Sequence, residues 1–266
     1  MSALRVTARL VAWQLSNALR SRWLLGYALF FLVVTDALLR FAGGGDRALL
    51  SLTSLVLLVV PLVATVFGTT WFYDARAFTE VLLAQPVDRR PLFVALYAGL
   101  ALPITLAFVA GVALPFAVHG VGAPTDRLTL ATLLGIGAAL TFAFVAVAFL
   151  VAVRVEDKVK GLGTAVVVWL ALTLLYDGLV LLLTTALGDY PIERPLLGLV
   201  LANPVDLARV LLLLRLDAAA LMGYTGAVFS DFFGGVAGPL MATSMLLLWI
   251  AVPAWLALHT FRRKDF

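Results

Sequence analysis

Residues 128–153 read LTLATLLGIGAALTFAFVAVAFLVAV, closed by Arg127 on one side and Arg154 on the other. No residue between those two arginines is charged. About 20 helical residues at a rise of 1.5 Å per residue cross a hydrocarbon core roughly 30 Å thick, so this run is long enough to span a bilayer. Working outward from it, runs of the same character occupy 23–42, 48–72, 92–118, 162–187 and 236–260. A soluble domain does not carry six of them. The pattern predicts an all-α polytopic membrane protein with six transmembrane helices in a single domain over residues 1–266, placed in the cell membrane as a multi-pass protein.

Charge sets the expected orientation. With both termini cytoplasmic, the inner segments hold Arg5, Arg9, Arg20, Arg22, Arg76, Arg89, Arg90, Arg154, Lys158, Lys160, Arg262, Arg263 and Lys264. The outer side keeps Arg40, Arg47, Arg127, Arg194, Arg209 and Arg215. That distribution obeys the positive-inside rule, and an even number of spans returns the C-terminus to the side of the N-terminus. A net charge of only +4 gives no broad basic surface for nucleic acid. The basic inner rim is instead expected to meet the headgroups of membrane lipids. The absence of cysteine removes disulfides, thiolate metal sites and thiol nucleophiles together. No cleavable signal peptide is expected, because the first 20 residues are interrupted by polar side chains and Trp23 opens a full-length span.

Between the spans, residues 1–22 read as an amphipathic inner-surface helix. Leu4, Ala8, Val11, Leu15 and Leu19 recur every three or four residues, with the arginines mostly elsewhere on the wheel. Gly43-Gly44-Gly45-Asp46-Arg47 predicts a tight outer turn between spans 1 and 2, and His119 to Arg127 a short outer loop between spans 3 and 4. Pro61, Pro103, Pro115 and Pro253 fall inside spans, where neighbours or water can satisfy the freed carbonyls.

The segment 188–235 is a much longer outer connection, expected to cap the bundle. Its stretch Pro195–Leu216 is apolar, but Asp206, Arg209 and Arg215 interrupt it and a seventh crossing would move the C-terminal basic residues outside. Asn203 is placed as an N-cap, with Pro204 at the first helical position and Asp206 in the first turn near the positive end of the dipole. Leu207, Val210, Leu211, Leu214, Ala218 and Leu221 then form one apolar face, with Asp206, Arg209 and Asp217 falling away from it. Such a helix lies at the outer interface or is re-entrant. Residues Gly223–Gly235, with four aromatic rings, suit a turn at headgroup level.

Two inner loops carry the remaining signals. Residues 74–91 contain a short helix of mixed charge that stops at Pro86 and is followed by Asp88, Arg89 and Arg90. Arg154-Val-Glu-Asp-Lys-Val-Lys160 is a compact charged turn holding Glu156, Asp157 and Lys158. Taken together these segments resemble the membrane subunit of ATP-binding-cassette type-2 exporters. The first inner loop of that family reads Gly-Thr-Leu-Glu-x-Leu-Leu, two residues, Pro, two residues, Arg. Here Glu80, Leu82, Leu83, Pro86 and Arg89 fall at those spacings, while Ala77, Phe78 and Thr79 replace the Gly-Thr-Leu. Leu19-Arg20-Ser21-Arg22-Trp23 is similar to the approach to span 1 in the family, though Gln14 stands where many members carry Glu.

Within that superfamily the chain resembles the NosY type, permeases of the copper-processing transporter that supports maturation of nitrous-oxide reductase. The likeness rests on Arg20-Ser-Arg-Trp-Leu-Leu25, the loop around Asp157-Lys158, the pair Tyr176-Asp177 in span 5 and, most specifically, Asn203-Pro-Val-Asp-Leu-Ala-Arg209. The resemblance implies a permease that couples ATP hydrolysis to export, or to remodelling of an extracytoplasmic accessory protein. It implies a homodimer with two cytoplasmic P-loop ATPase subunits. Residues 74–91 would be the coupling helix, with Glu80, Leu82, Leu83, Pro86, Arg89, Arg90, Glu156, Asp157 and Lys158 meeting the ATPase. ATP and Mg are expected on that partner, since the chain has no Gly-x-x-x-x-Gly-Lys-Ser/Thr loop to cradle phosphates.

Asp36 and Asp177 are the carboxylates within the spans, and an unpaired carboxylate in hydrocarbon is expensive. Counted from the starts of their runs, both are expected in the outer third at similar depth. Arg40, one turn on, can pair with Asp36. Asp177 has no such neighbour on its own helix, so Arg127, Arg209 or Arg215 would have to supply the charge, in either a structural or a pathway role. Soft copper sites take Cys, Met or His. Met222, Met241, Met245 and His119 lie toward one face and His259 toward the other, and the Met pair reads as packing, so no metal site is expected on this chain. No catalytic residue is expected either. An intramembrane enzyme would need a nucleophile with its base or a metal cluster at one depth, and a secondary transporter would show repeated halves or paired broken helices.

Overall fold

The computed structural model describes residues 21–42, 45–76, 79–80, 88–119, 124–186, 193–215 and 237–264, and all regular structure among them is helical. The spans are α1 (Arg22–Phe41), α2 (Gly45–Asp74), α3 (Arg89–His119), α4 (Pro124–Arg154), α5 (Lys158–Ala186) and α8 (Ala237–Arg263). Between the last two lie α6 (Glu193–Leu201) and α7 (Pro204–Arg215). Arg22, Asp74, Arg89, Arg154, Lys158 and Arg263 mark span ends at one side of the bundle, called the basic end below. The helices outrun their apolar runs. α2 takes in Asp46 and Arg47, and α4 begins at Pro124, so the connections predicted there are shorter than expected. The amphipathic segment and residues 216–235 lie outside the described residues.

In lipid, apolar tails compete equally for apolar side chains, so helices associate by close packing instead. α4 is the central helix, with 72% of its apolar window buried, whereas α5 buries only 6%. Small residues allow the approach. An ideal Cβ on Gly111 of α3 would stand 2.7 Å from the Ala28 carbonyl oxygen of α1, and one on Gly68 of α2 would stand 2.6 Å from the Ala148 Cβ of α4. Phe72, Phe93, Phe149 and Phe261 fill the basic half in edge-on and tilted contacts between 5.3 and 6.2 Å. The intramembrane hydroxyls of Thr53, Thr69 and Thr141 donate to carbonyls one turn back, which hides their polarity within the helix. The prolines inside α2, α3 and α8 leave each helix continuous.

α6 and α7 form a re-entrant hairpin. Over their described residues, at roughly 14 and 18 Å, neither is long enough to cross the core. Their junction at Ala202–Asn203 meets Leu172, which lies midway along α5. Leu201 and Ala202 face Val252 and Pro253 halfway along α8, while Leu213 at the other end of α7 lies with Leu50 near the start of α2. Of the two placements the sequence allows for this segment, the interfacial and the re-entrant, the geometry selects the second. That corrects the expected faces of α7. Asp206 does not fall away from the bundle: it is 6% exposed, because α7 is enclosed by α2, α4, α5 and α8, and Val205, Leu207, Ala208, Val210 and Leu212 are buried on several sides.

Candidate functional site

The hairpin is fastened to α5 at an irregular turn. Residues Ala171–Leu175 are π-helical, and the Tyr176 N–H donates to the Ala171 carbonyl five residues back. A π-turn widens the helix and changes which backbone groups have partners. Here the Leu172 carbonyl accepts from Asn203 Nδ2 at 2.7 Å, while Asn203 Oδ1 accepts from the Val205 N–H at 2.9 Å. One buried side chain therefore caps α7 and holds α5. One turn on, the Tyr176 hydroxyl donates to the Leu199 carbonyl of α6 at 2.7 Å. Both arms of the hairpin are thus tied to successive turns of α5.

Arg209 supplies the charge that Asp177 lacks on its own helix. Its Nη1 and Nη2 donate to the two Asp177 oxygens at 2.7 and 2.8 Å, the two-pronged geometry in which a guanidinium binds carboxylate best. The same Nη1 donates to Asp206 Oδ1 at 3.1 Å. One cation is shared by two carboxylates, one of them buried. This cluster borders a cavity of about 530 Å³ between α2, α5 and α7, whose polar lining is Ser51, Thr53, Ser54, Thr173, Asp177 and Arg209. The Thr173 hydroxyl is buried there without a hydrogen-bond partner among the described residues.

Asp36 is elsewhere. It pairs with Arg40 at 2.8 Å, as the one-turn spacing predicts, and His119 Nε2 in the last turn of α3 lies 3.5 Å from it.

At the basic end, the two loops and the terminus of α8 are stitched together. Lys158 pairs with Asp74, the Tyr73 hydroxyl donates to the Val155 carbonyl at 2.8 Å, and Arg76 reaches the Glu156 carbonyl at 3.2 Å. Arg76 also pairs with Glu80 at 3.3 Å. Asp157 caps the start of α5 by accepting from the Lys160 N–H at 2.7 Å. Arg89 binds the carbonyls of Arg262 and Lys264 at 2.9 and 2.6 Å, filling acceptors that the end of α8 leaves open. Lys264 in turn donates to the Val153 carbonyl at 2.9 Å. Of the residues expected to meet an ATPase, Glu80, Arg89, Glu156, Asp157 and Lys158 all lie in this network, with Arg90 beside it. Leu82, Leu83 and Pro86 lie outside the described residues. The sequence reading did not single out Tyr73, Thr173 or Lys264, or the π-turn. Tyr73 beside a charged loop is a signal that was available. The run Ala-Leu-Thr-Leu-Leu carries no glycine or proline to announce a π-turn.

Among the described residues no three His, Asp or Glu side chains converge as a metal site. Met241 is exposed on α8, Met245 packs against the hairpin, and His119 and His259 lie at opposite ends.

No protein-family model matches the chain. It is 29% identical over 279 residues to the "Probable ABC transporter permease protein NosY" of Pseudomonas aeruginosa, an alignment covering 94% of this chain and 96% of that one. A protein of the same name from Stutzerimonas stutzeri is 29% identical over 275 residues, with the same shares covered. Six membrane-length helices together with these relatives support the role of a transporter subunit rather than an enzyme. The chain is a multi-pass membrane protein that resembles, along nearly its whole length, NosY-type permeases of ATP-binding-cassette transporters.

Proposed function

We propose that this chain is the permease of an ATP-binding-cassette transporter in which a separate cytoplasmic ATPase drives the re-entrant hairpin through α5. The basic end faces the cytoplasm, an orientation that the arginine and lysine distribution supports. The observation that carries the reading is the continuity of α5. It starts at the Asp157 cap beside the Lys158–Asp74 pair, and its midpoint is held by Asn203. A push on the first loop passes to the second through Asp74, Tyr73 and Arg76, and then along a stiff helix to the hairpin tip. Displacing that tip alters the cavity that Asp177 and Arg209 border.

Two copies of the chain with two ATPases form the working unit. The exposed apolar face of α5, including Leu174, Leu175, Leu181 and Leu182, is available to the second copy. The output is export, or remodelling of an extracytoplasmic accessory protein, and the NosY-type likeness supports copper-site maturation of nitrous-oxide reductase as its setting. The test is Leu82→Asp with Leu83→Asp in the coupling segment 74–91. The double variant is expected to insert normally and to lose its co-purifying ATPase, or to leave ATP hydrolysis uncoupled. Retention of the ATPase with full transport-linked function would remove this segment from the mechanism.

A further inference from the structure

A second concavity lies at the basic end, outside the loop network. Arg90 at the start of α3 and Trp255, Leu258, His259 and Arg262 of α8 line a cavity of about 290 Å³. Its two guanidinium groups differ from their neighbours. Arg89, Lys158 and Lys264 are each engaged by carbonyls or carboxylates, whereas no carboxylate among the described residues pairs with Arg90 or Arg262. Two guanidinium groups without a carboxylate partner among the described residues share one pocket.

The floor of that pocket is apolar and faces outward. Trp255 and His259, one turn apart, stack with ring centroids 5.5 Å apart and planes 21° from parallel. Trp255 is 62% exposed, and toward the bilayer centre the surface of α8 continues with exposed Val252 and Leu248. Arg262 stands about 10 Å nearer the end of the helix than Trp255. Guanidinium planes match phosphate oxygens in pairs, and Trp prefers the headgroup level. A phosphate held by the two arginines therefore has an apolar strip running away from it, along which acyl chains can lie. A free phosphate would leave that strip without a purpose.

We propose that the Arg90–Arg262 pocket binds the phosphate of an anionic phospholipid, with its chains laid along Trp255, Val252 and Leu248. Neither side chain holds another part of the protein among the described residues, so neutral replacements leave the fold intact. The purified full chain in detergent is titrated with phosphatidylglycerol, phosphatidylcholine and inorganic phosphate, reading bound lipid by native mass spectrometry and thermal stability in parallel. Basic residues near an anionic membrane surface contribute about 1 kcal/mol each, so Arg90→Gln and Arg262→Gln each weaken phosphatidylglycerol binding about fivefold and the pair about 30-fold. Phosphatidylcholine, with no net charge, binds the wild-type chain far more weakly, and inorganic phosphate does not raise its melting temperature. Phosphatidylglycerol binding the double variant as tightly as wild type overturns the proposal. Equal retention of phosphatidylcholine, or stabilisation by inorganic phosphate in place of lipid, overturns it as well.

Discussion

Replacing Arg209 by Leu removes the one cation shared by Asp177 and Asp206. The two carboxylates do not suffer equally. The Asp177 side chain is 42% exposed, so its loss of a partner is cushioned by polar surroundings in the cavity and contributes under about 1 kcal/mol. The Asp206 side chain is only 8% exposed, and stripping a buried carboxylate of its partner costs about 3–5 kcal/mol at a pH where it stays ionised. The expected result is a fall in melting temperature on the order of 10 °C for the protein in detergent. Adding Asp206→Asn to the Arg209→Leu background removes the stranded charge and restores most of that loss, whereas adding Asp177→Asn restores little. A melting temperature within about 2 °C of wild type for Arg209→Leu alone, or equal rescue by the two asparagines, would refute the assignment of Asp206 as the buried partner.

Asn203→Leu should cost about 2–4 kcal/mol in thermal unfolding, from a lost cap and a Leu172 carbonyl left without its donor. Gly161→Ala places a Cβ 1.9 Å from the Tyr73 hydroxyl oxygen, so it must displace the Tyr73–Val155 hydrogen bond and destabilise by about 1–3 kcal/mol, an effect visible as lowered melting temperature with expression retained. For topology, the lack of native cysteine lets single replacements report directly. Cysteines introduced at Gly44, Thr125 and Asp189 should react with an impermeant reagent added outside cells, and those at Asp88 and Lys158 should be protected. The opposite pattern would invert the bundle.

The spans were legible because a bilayer imposes length and apolarity on every crossing, and runs such as 128–153 declare both. Asn203 was legible as a cap because Asn followed by Pro has strong local preferences. The depth of α7 was not, since an amphipathic helix at an interface and one folded back into a bundle share most of their composition. What separates them is enclosure by α2, α4, α5 and α8, a tertiary property that buries Asp206. The pairing of Asp177 was legible only as a need for charge, with three arginines able to answer it. Arg209 answers it because the hairpin tip is pinned to a π-turn that no residue in 171–175 signals. At the basic end, Arg89 fits the family spacing, yet its hydrogen bonds go to the carbonyls of Arg262 and Lys264, acceptors that a reading of side chains alone does not reveal.

The most direct measurement is a distance across the cavity during ATP turnover. Spin labels on Leu58→Cys of α2 and Leu213→Cys of α7, in the permease assembled with its ATPase, report the movement of the hairpin against the bundle. Trapping the ATPase with nucleotide should shift the distance distribution by several ångströms relative to the nucleotide-free complex, and no shift should follow when ATP is added to the chain carrying Leu82→Asp and Leu83→Asp. An unchanged distribution in a complex that is hydrolysing ATP would contradict a hairpin driven through α5.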